Sequence, residues 1–392
     1  MSRRTLGIVG LAMTVVMATA CSETSTSPPA MPEAVLDGLA AHQTSNPAAL
    51  PSSIGWQAEA RSLVAANNLS PLAATRVYAA LSTAQYRAVR AIAGGRQARR
   101  GAIAGASVQV LSFLFPAAAG SLEQRAQSEG ETESGKARER FFQGLEVGRT
   151  AGDVSVEHLK NDRFTTPWAG TVPVGPGMWV ANGPPAGATF GGVAPYLMTS
   201  GSQFRAPPPP AFGSPAFMTD VAELRTLSST RTAEQLASAL YWNFPTGTFT
   251  PPGYWNLTAA NYVEAAGLSE RAATRVFALM SAAMMDALIG CWEAKYYYWT
   301  LRPTQADPLI TLTFGLPNHP SYPSGHSCVS AAAATVLKKF FPERAIELDT
   351  WVEDAGLSRM YAGIHYRFDI TAGSNLGQAV ARWAIGHASE LD

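Results

Sequence analysis

Residues 69–82 read LSPLAATRVYAALS, and residues 268–281 read LSERAATRVFALMS. The two stretches lie 199 positions apart, nine of their fourteen residues are identical, and Tyr78 is matched by Phe277. In each, Leu-Ser followed by proline or glutamate marks a helix start, and the alanine-rich run behind it is strongly helix-forming. Solenoid units repeat every ~20–50 residues, so a single return after 199 positions points instead to two related helical bundles, one per half.

The surrounding pattern agrees. Helical periodicity covers 101–115, 131–147, 232–242, 291–301, 325–341, 346–361 and 370–387, and Thr232 with Gln235 has the form of a capping box. Residues 164–217 are rich in glycine, proline and aromatics and read as a long connection over the surface. Alternating strand patterns are nearly absent. The expected architecture is all-α: a first bundle over about 51–163, the Gly/Pro-rich connection over 164–217, and a second bundle over 218–392, together one catalytic domain over 51–392.

Of the 392 residues, 47% are apolar and 15% charged, which excludes a disordered chain. Lysine plus arginine and aspartate plus glutamate number 29 each, so no global basic field exists to hold nucleic acid or a membrane surface. Anion binding must come from a local cluster. At the start, Arg3 and Arg4 precede an apolar run and then Ala-Thr-Ala-Cys21, the pattern of an export signal over 1–21. Small residues directly before a cysteine also resemble a bacterial lipobox, with Cys21 as the acylated residue and 22–50 as a polar, proline-bearing tether. The alternative is an ordinary cleaved signal with Cys21 incidental. The expected location is periplasmic or extracellular, with membrane contact only through that lipid. No other apolar run reads as a membrane span, and Cys291 and Cys328 read as a pair of buried small hydrophobes or as one disulfide.

Three segments of the second half hold the chemistry-bearing groups. Lys295 and Arg302 are seven residues apart, a spacing that puts both on one helix face, with Pro303 ending the helix behind them. His319-Pro-Ser-Tyr-Pro-Ser324-Gly325-His326 leads into an alanine-rich helix whose N-terminus offers unpaired N–H groups and the positive end of the dipole. Ser358-Arg359 is followed by His365 and, four residues on, Asp369, a carboxylate able to orient the imidazole through its second nitrogen. Each segment alone has an ordinary explanation: a solvated Lys–Arg face, a serine cap, a surface Asp–His contact. Together, three cations, a hydroxyl, a helix N-terminus and two imidazoles make a site for a tetrahedral, multiply charged oxyanion. Three of the six histidines fall in these segments, whereas His42, His158 and His387 have no such company.

The pattern Lys-x6-Arg-Pro, Pro-Ser-Gly-His, Ser-Arg-x5-His-x3-Asp resembles the superfamily of type 2 phosphatidic acid phosphatases, bacterial acid phosphatases and vanadium-dependent haloperoxidases. Every fixed position is filled, and a more diffuse likeness to soluble bacterial haloperoxidase-like members extends from about Trp56. The resemblance implies that Lys295, Arg302, Arg359, Ser324 and the Gly325 amide bind the equatorial oxygens. It implies that His365 is the apical vanadium ligand or the phosphorylated nucleophile, and His326 the general acid–base. His319, and the run Gly363-Ile-His-Tyr-Arg-Phe-Asp369, resemble the haloperoxidases, where a histidine at the first position lines the halide side. The 31 residues between His326 and Ser358 resemble phosphatase spacing instead. The expected enzyme is a haloperoxidase using vanadate, hydrogen peroxide and halide; the alternative is a metal-free acid phosphatase acting on phosphate monoesters. A non-enzymatic anion-binding lipoprotein ranks below both. Oligomeric state is not legible.

Overall fold

The duplication read from one short repeat extends through both halves of the fold. The computed structural model describes residues 51–391, so the signal segment, Cys21 and the tether lie outside the described residues. The first half contains α1 (Ser52–Ala66), α2 (Pro71–Ala91), α3 (Arg96–Leu114), α4 (Ala119–Glu131) and α5 (Gly135–Asn161). The second contains α6 (Pro215–Ser229), α7 (Ala233–Tyr241), α8 (Thr250–Ala265), α9 (Glu270–Tyr298), α10 (Pro303–Ala306), α11 (Gly325–Phe340), α12 (Ala345–Tyr361) and α13 (Arg367–Gly386). The fold is all-α, and among the described residues β pairing is limited to isolated bridges.

The repeat forms α2 and α9, each opened by its serine: Ser70 accepts from the Ala73 amide and Ser269 from the Ala272 amide. The two helices meet across an approximate two-fold relation, so that residues 199 apart touch. Ser82 Oγ lies 3.2 Å from Ser281 Oγ, and Asn256 Nδ2 donates to Gln57 Oε1 at 2.8 Å. A second correspondence follows at a different spacing. VLSFLFPAAA (110–119) and VLKKFFPERA (336–345) are 226 apart, and each ends its helix at a phenylalanine before a proline-led 3-10 turn. Glycines close both helix crossings. A Cβ on Gly144 would stand 2.0 Å from Ala98 O and one on Gly148 2.0 Å from Ala102 O. In the second bundle Gly373 meets Ser324 O at 2.6 Å and Gly377 meets Cys328 O at 2.2 Å. Only glycine lets these backbones approach so closely.

The growth of the offset from 199 to 226 means that the second half carries 27 extra residues between its α9 and α11. They include Arg302, His319 and Ser321, so part of the candidate site sits on an insertion into one copy of a duplicated bundle.

Several boundaries differ from the sequence reading. The expected helix over 131–147 starts later and runs further: Glu131 closes α4, and α5 opens at Gly135, which takes φ 52°, and continues to Asn161. Helix α9 stops at Tyr298, where Trp299 adopts the left-handed conformation at φ 51°. Arg302 therefore does not share a helix face with Lys295, and Pro303 opens α10 rather than ending α9. Helix α9 is also long and apolar enough to cross a membrane, unlike what the sequence reading expects, but 89% of its apolar window is buried in the bundle. Cys291 and Cys328 are buried free thiols.

The 164–217 connection is better anchored than a draped loop. It buries Trp179, Phe190 and Leu197, and its last residues already belong to α6. The amides of Tyr196, Leu197 and Met198 converge on the buried carboxylate of Asp286 at 2.7, 2.8 and 2.8 Å. Burial outweighs these three donors and raises the Asp286 carboxyl to about 6.

Candidate active site

The site gathers at the bottom of a cavity of about 490 Å³, against the N-terminus of α11. His319, Gly325, His326, Arg359 and His365 line it. Lys295, Arg302, Ser324 and Asp369 stand behind that wall, each with no solvent exposure. All nine residues singled out in the described part of the sequence thus converge, from the end of α9, the insertion, α11, α12 and the start of α13. The tenth, Cys21, lies outside the described residues.

Ser324 caps α11, accepting from the Ser327 amide, while its own amide donates to Asp369 O at 3.0 Å. That bond ties the α11 N-terminus to α13. Asp369 Oδ2 receives three donors: Ser321 Oγ, the Tyr366 amide at 3.2 Å and His365 Nδ1 at 2.7 Å. Its Oδ1 is buried without a partner, and burial pushes the carboxyl up to about 6.

Tautomers follow from the donors around each ring. Arg302 Nη1 lies 3.2 Å from His365 Nε2, and a guanidinium can only donate. His365 Nε2 is therefore a lone pair, and its proton sits on Nδ1, given to Asp369. Arg302 Nη2 approaches His319 Nδ1 at 3.0 Å while the Pro320 carbonyl lies 3.1 Å from the same nitrogen, two contacts that call for opposite tautomers of this ring. His326 Nε2 faces the Trp242 carbonyl at 2.8 Å and must donate, leaving Nδ1 as its lone pair. Burial first, and then the nearby cations, hold all three imidazoles well below their ordinary titration range. They are neutral.

The cations are held differently from one another. The Lys295 ammonium donates to the carbonyls of Pro320, Ser321 and Pro323, so its protons fasten the insertion to α9. It reaches the site as charge, not as a free donor. Arg302 also donates to His319 O at 3.0 Å and Ile364 O at 2.8 Å. Arg359 donates to Ser358 Oγ at 2.9 Å and to Ala239 O at 2.8 Å, and it lines the cavity. Burial lowers Lys295 to about 8, Arg302 to about 10 and Arg359 to about 9. Three buried cations against one buried carboxylate leave a surplus of two positive charges (three minus one). Such a surplus calls for an anion.

Sequence reasoning missed the supporting groups. The carbonyls of Ala239 and Trp242, which hold Arg359 and His326, carry no side-chain signal at all. Asp354 fixes that segment, accepting from Ser238 Oγ at 2.8 Å and Trp242 Nε1 at 2.7 Å. Ser321, inside the histidine-proline run, could have been singled out as a hydroxyl beside the motif.

Residues 273–389, the span that holds this constellation, match the PAP2 superfamily. That match spans 117 of the 392 residues (273 to 389). A non-specific acid phosphatase of Providencia stuartii is 29% identical over 176 residues, covering 42% of this chain and 66% of that protein. The vanadium chloroperoxidase of Curvularia inaequalis is 28% identical over 159 residues, covering 32% of this chain and 26% of that protein. The chain thus spans about two thirds or less of the curated relatives it matches. Among solved structures, a bacterial vanadium-dependent iodoperoxidase superposes with a TM-score of 0.74 at 22% identity, over 86% of this chain and 96% of that one. A bacterial vanadium-dependent chloroperoxidase gives 0.65 at 15% identity, over 83% and 95%. Those structures share the all-α fold.

Proposed function

We propose that this chain is a vanadium-dependent haloperoxidase-like enzyme, oxidising halide with hydrogen peroxide at a vanadate held by His365. The observation that carries the reading is His365 itself. It is a neutral imidazole whose Nε2 lone pair is turned, by its Nδ1–H bond to Asp369, towards a surplus of buried positive charge at a helix N-terminus. That donor set fits an oxyanion bound through one ring nitrogen. Among the described residues no group of three His, Cys, Asp or Glu could hold a metal cation, so the metal would enter as its oxyanion. Arg302, Arg359, the Lys295 charge, Ser324 and the first amides of α11 would hold its oxygens. Vanadate, when bound, supplies a Lewis acid that activates peroxide without changing oxidation state.

The rest falls to the chain's own groups. Asp369 keeps the His365 proton on Nδ1 and so keeps Nε2 available. His326, on the cavity wall, takes and returns protons through its Nδ1 lone pair. His319, neutral and held against Arg302, presents an uncharged imidazole to the halide side.

A metal-free phosphatase using a phospho-His365 intermediate is the second reading, favoured by the acid phosphatase relatives and by the compact spacing from His326 to Ser358. One experiment separates them: protein lacking residues before Ser22 is incubated with orthovanadate, then assayed for dye bromination and aryl phosphate hydrolysis. Bromination only with vanadate supports the haloperoxidase; hydrolysis abolished by vanadate supports the phosphatase. His365→Ala should remove whichever activity exists.

We also propose export with lipid attachment at Cys21, on the sequence pattern of 1–21 alone. Labelled palmitate incorporated by the wild type and not by Cys21→Ser is the expected result.

A further inference from the structure

The duplication leaves a different surface on the first half. Helices α3 and α5 run parallel, with Gly144 against Ala98 O and Gly148 against Ala102 O, as α11 and α13 do through Gly373 and Gly377. Their N-termini therefore lie at one end of the bundle, and that end is basic. Arg96, Arg99 and Arg100 open α3, and Lys136, Arg138 and Arg140 open α5. Neither first turn carries an acidic residue. Basic groups at the positive end of a helix dipole cost stability, so local folding does not account for them. Over 96–100 and 131–140 only Glu131, Glu133 and Glu139 oppose these six, a surplus of three (six minus three) in a chain of zero net charge. Glu133 pairs with Arg100, while Lys136, Arg138 and Arg140 are exposed.

Residues 22–50 join the fold at this same end. The Ser52 amide and Ser53 Oγ donate to the Glu270 carboxylate, which in turn feels the Arg100 charge, so the start of α1 sits beside the start of α3. The cavity mouth lies at the other end. Helix α1 runs back along α2 from the turn at Asn67–Ser70, with Gln57 Nε2 3.0 Å from both Ser82 Oγ and Gln85 Oε1, and Ser70, Pro71 and Leu72 line the cavity. The far end of α5 agrees: Arg76, near the start of α2, donates to Leu159 O at 2.7 Å. Helix α2 has 21 residues, which sets the basic end and the mouth ~30 Å apart.

We propose that this basic face docks on anionic phospholipid headgroups and leaves the cavity mouth turned towards solvent. The inference rests on the reading of Cys21 as a lipid attachment point, which brings a membrane to this end. It adds to the lipid a second contact, one that orients the body. Each basic residue near an anionic surface changes partitioning about fivefold. A tether makes even a weak face effective by raising its local concentration. Salt weakens the contact, since exposed charges are screened over ~8–10 Å.

The test uses the chain from Ser22, which lacks the lipid and holds the whole described fold, sedimented with phosphatidylcholine vesicles with or without phosphatidylglycerol. The wild type should bind the phosphatidylglycerol vesicles at low salt, leave them as salt rises, and ignore pure phosphatidylcholine. Lys136→Gln with Arg140→Gln should weaken binding about tenfold or more. Lys160→Gln with Arg163→Gln, an equal charge change on exposed residues at the other end of α5, should bind as the wild type does. A fluorophore attached through Ser134→Cys should be quenched by nitroxide lipid, and one attached through Thr246→Cys, at the mouth, should not. The proposal is overturned if the wild type ignores the anionic vesicles, if both double variants lose binding equally, or if the Thr246 label is the one quenched. Binding of polyphosphate but not of vesicles would also overturn it, making the partner a soluble polyanion. Palmitate at Cys21 with no Lys136- and Arg140-dependent binding would remove the docking face and leave the anchor standing. Such binding without palmitate would remove the anchor and leave the face.

Discussion

His365 Nε2 lies 3.2 Å from Arg302 Nη1 while its Nδ1 lies 2.7 Å from Asp369 Oδ2, so one imidazole links a fixed cation to a fixed anion. The pair of contacts determines which nitrogen carries the lone pair: Nε2, which accepts from Arg302 here and faces an incoming oxyanion. Asp369→Asn keeps the volume and one acceptor oxygen but removes the charge that holds the proton on Nδ1. Partners of this kind, acting through a liganding histidine, are typically worth ~10–100-fold in affinity or activity. Asp369→Asn should weaken orthovanadate binding and lower turnover by that order, with its unfolding midpoint little changed. Titration calorimetry with orthovanadate checks it; wild-type affinity in the variant would show that Asp369 does not govern the ring.

Lys295 behaves unlike its place in the motif implies. Its ammonium is fully buried and bonded to three carbonyls of the insertion. Lys295→Met would leave those carbonyls unpaired in the interior, at ~1–3 kcal/mol each, partly offset by no longer burying a charge. A net loss of about 2 kcal/mol is expected in urea unfolding, alongside weaker oxyanion binding. Lys295→Arg should not restore stability, since a planar fork does not match three converging carbonyls. A stable Lys295→Met protein with weak anion binding alone would mean that the lysine serves only as charge.

The sequence carried the fold class and the site unevenly, for physical reasons. The α2 and α9 starts were legible because Ser70 and Ser269 are side-chain caps before alanine-rich runs. The oxyanion cluster was legible because its residue types are costly to bury without purpose. The end of α9 was not, since Trp299 in a left-handed conformation leaves no glycine to announce it. The carbonyls of Ala239 and Trp242 were invisible because backbone groups carry no residue signature. The second repeat, at offset 226, is faint in the sequence because only a few apolar and proline positions survive in it, and the 27-residue insertion shifts its register.

The glycine crossings give a sharp test of close packing. A Cβ on Gly377 would stand 2.2 Å from Cys328 O and 3.0 Å from the Ala332 amide nitrogen, so α11 and α13 would have to separate. Gly377→Ala should cost about 3 kcal/mol by forcing that shift in a packed interior. Gly120 lies in the exposed first turn of α4, and a methyl group added there would meet nothing within 4 Å. Gly120→Ala should be neutral to stabilising, by ~0.5 kcal/mol, through reduced unfolded-state entropy. Thermal or urea denaturation of both variants decides the point; equal effects would mean the crossing is looser than described.

Asp286 supplies a stability test away from the site. Burial raises its carboxyl from 3.8 to about 6, so the folded protein binds that proton more tightly than the unfolded chain does. The stability this preference contributes is fully present below pH 3.8 and is lost as pH rises through about 6. A shift of about two units corresponds to about 3 kcal/mol between those limits. Asp286→Asn removes the titration while keeping an acceptor for one or two of the three amides of Tyr196, Leu197 and Met198. The variant should be less stable at pH 4, where the wild type is protonated and loses nothing to charge burial. Between pH 4 and 7 the wild type should lose stability relative to the variant, so the two curves converge. Urea midpoints measured across that range give the comparison, and parallel curves would show that Asp286 stays ionised throughout and that its three amides outweigh its burial.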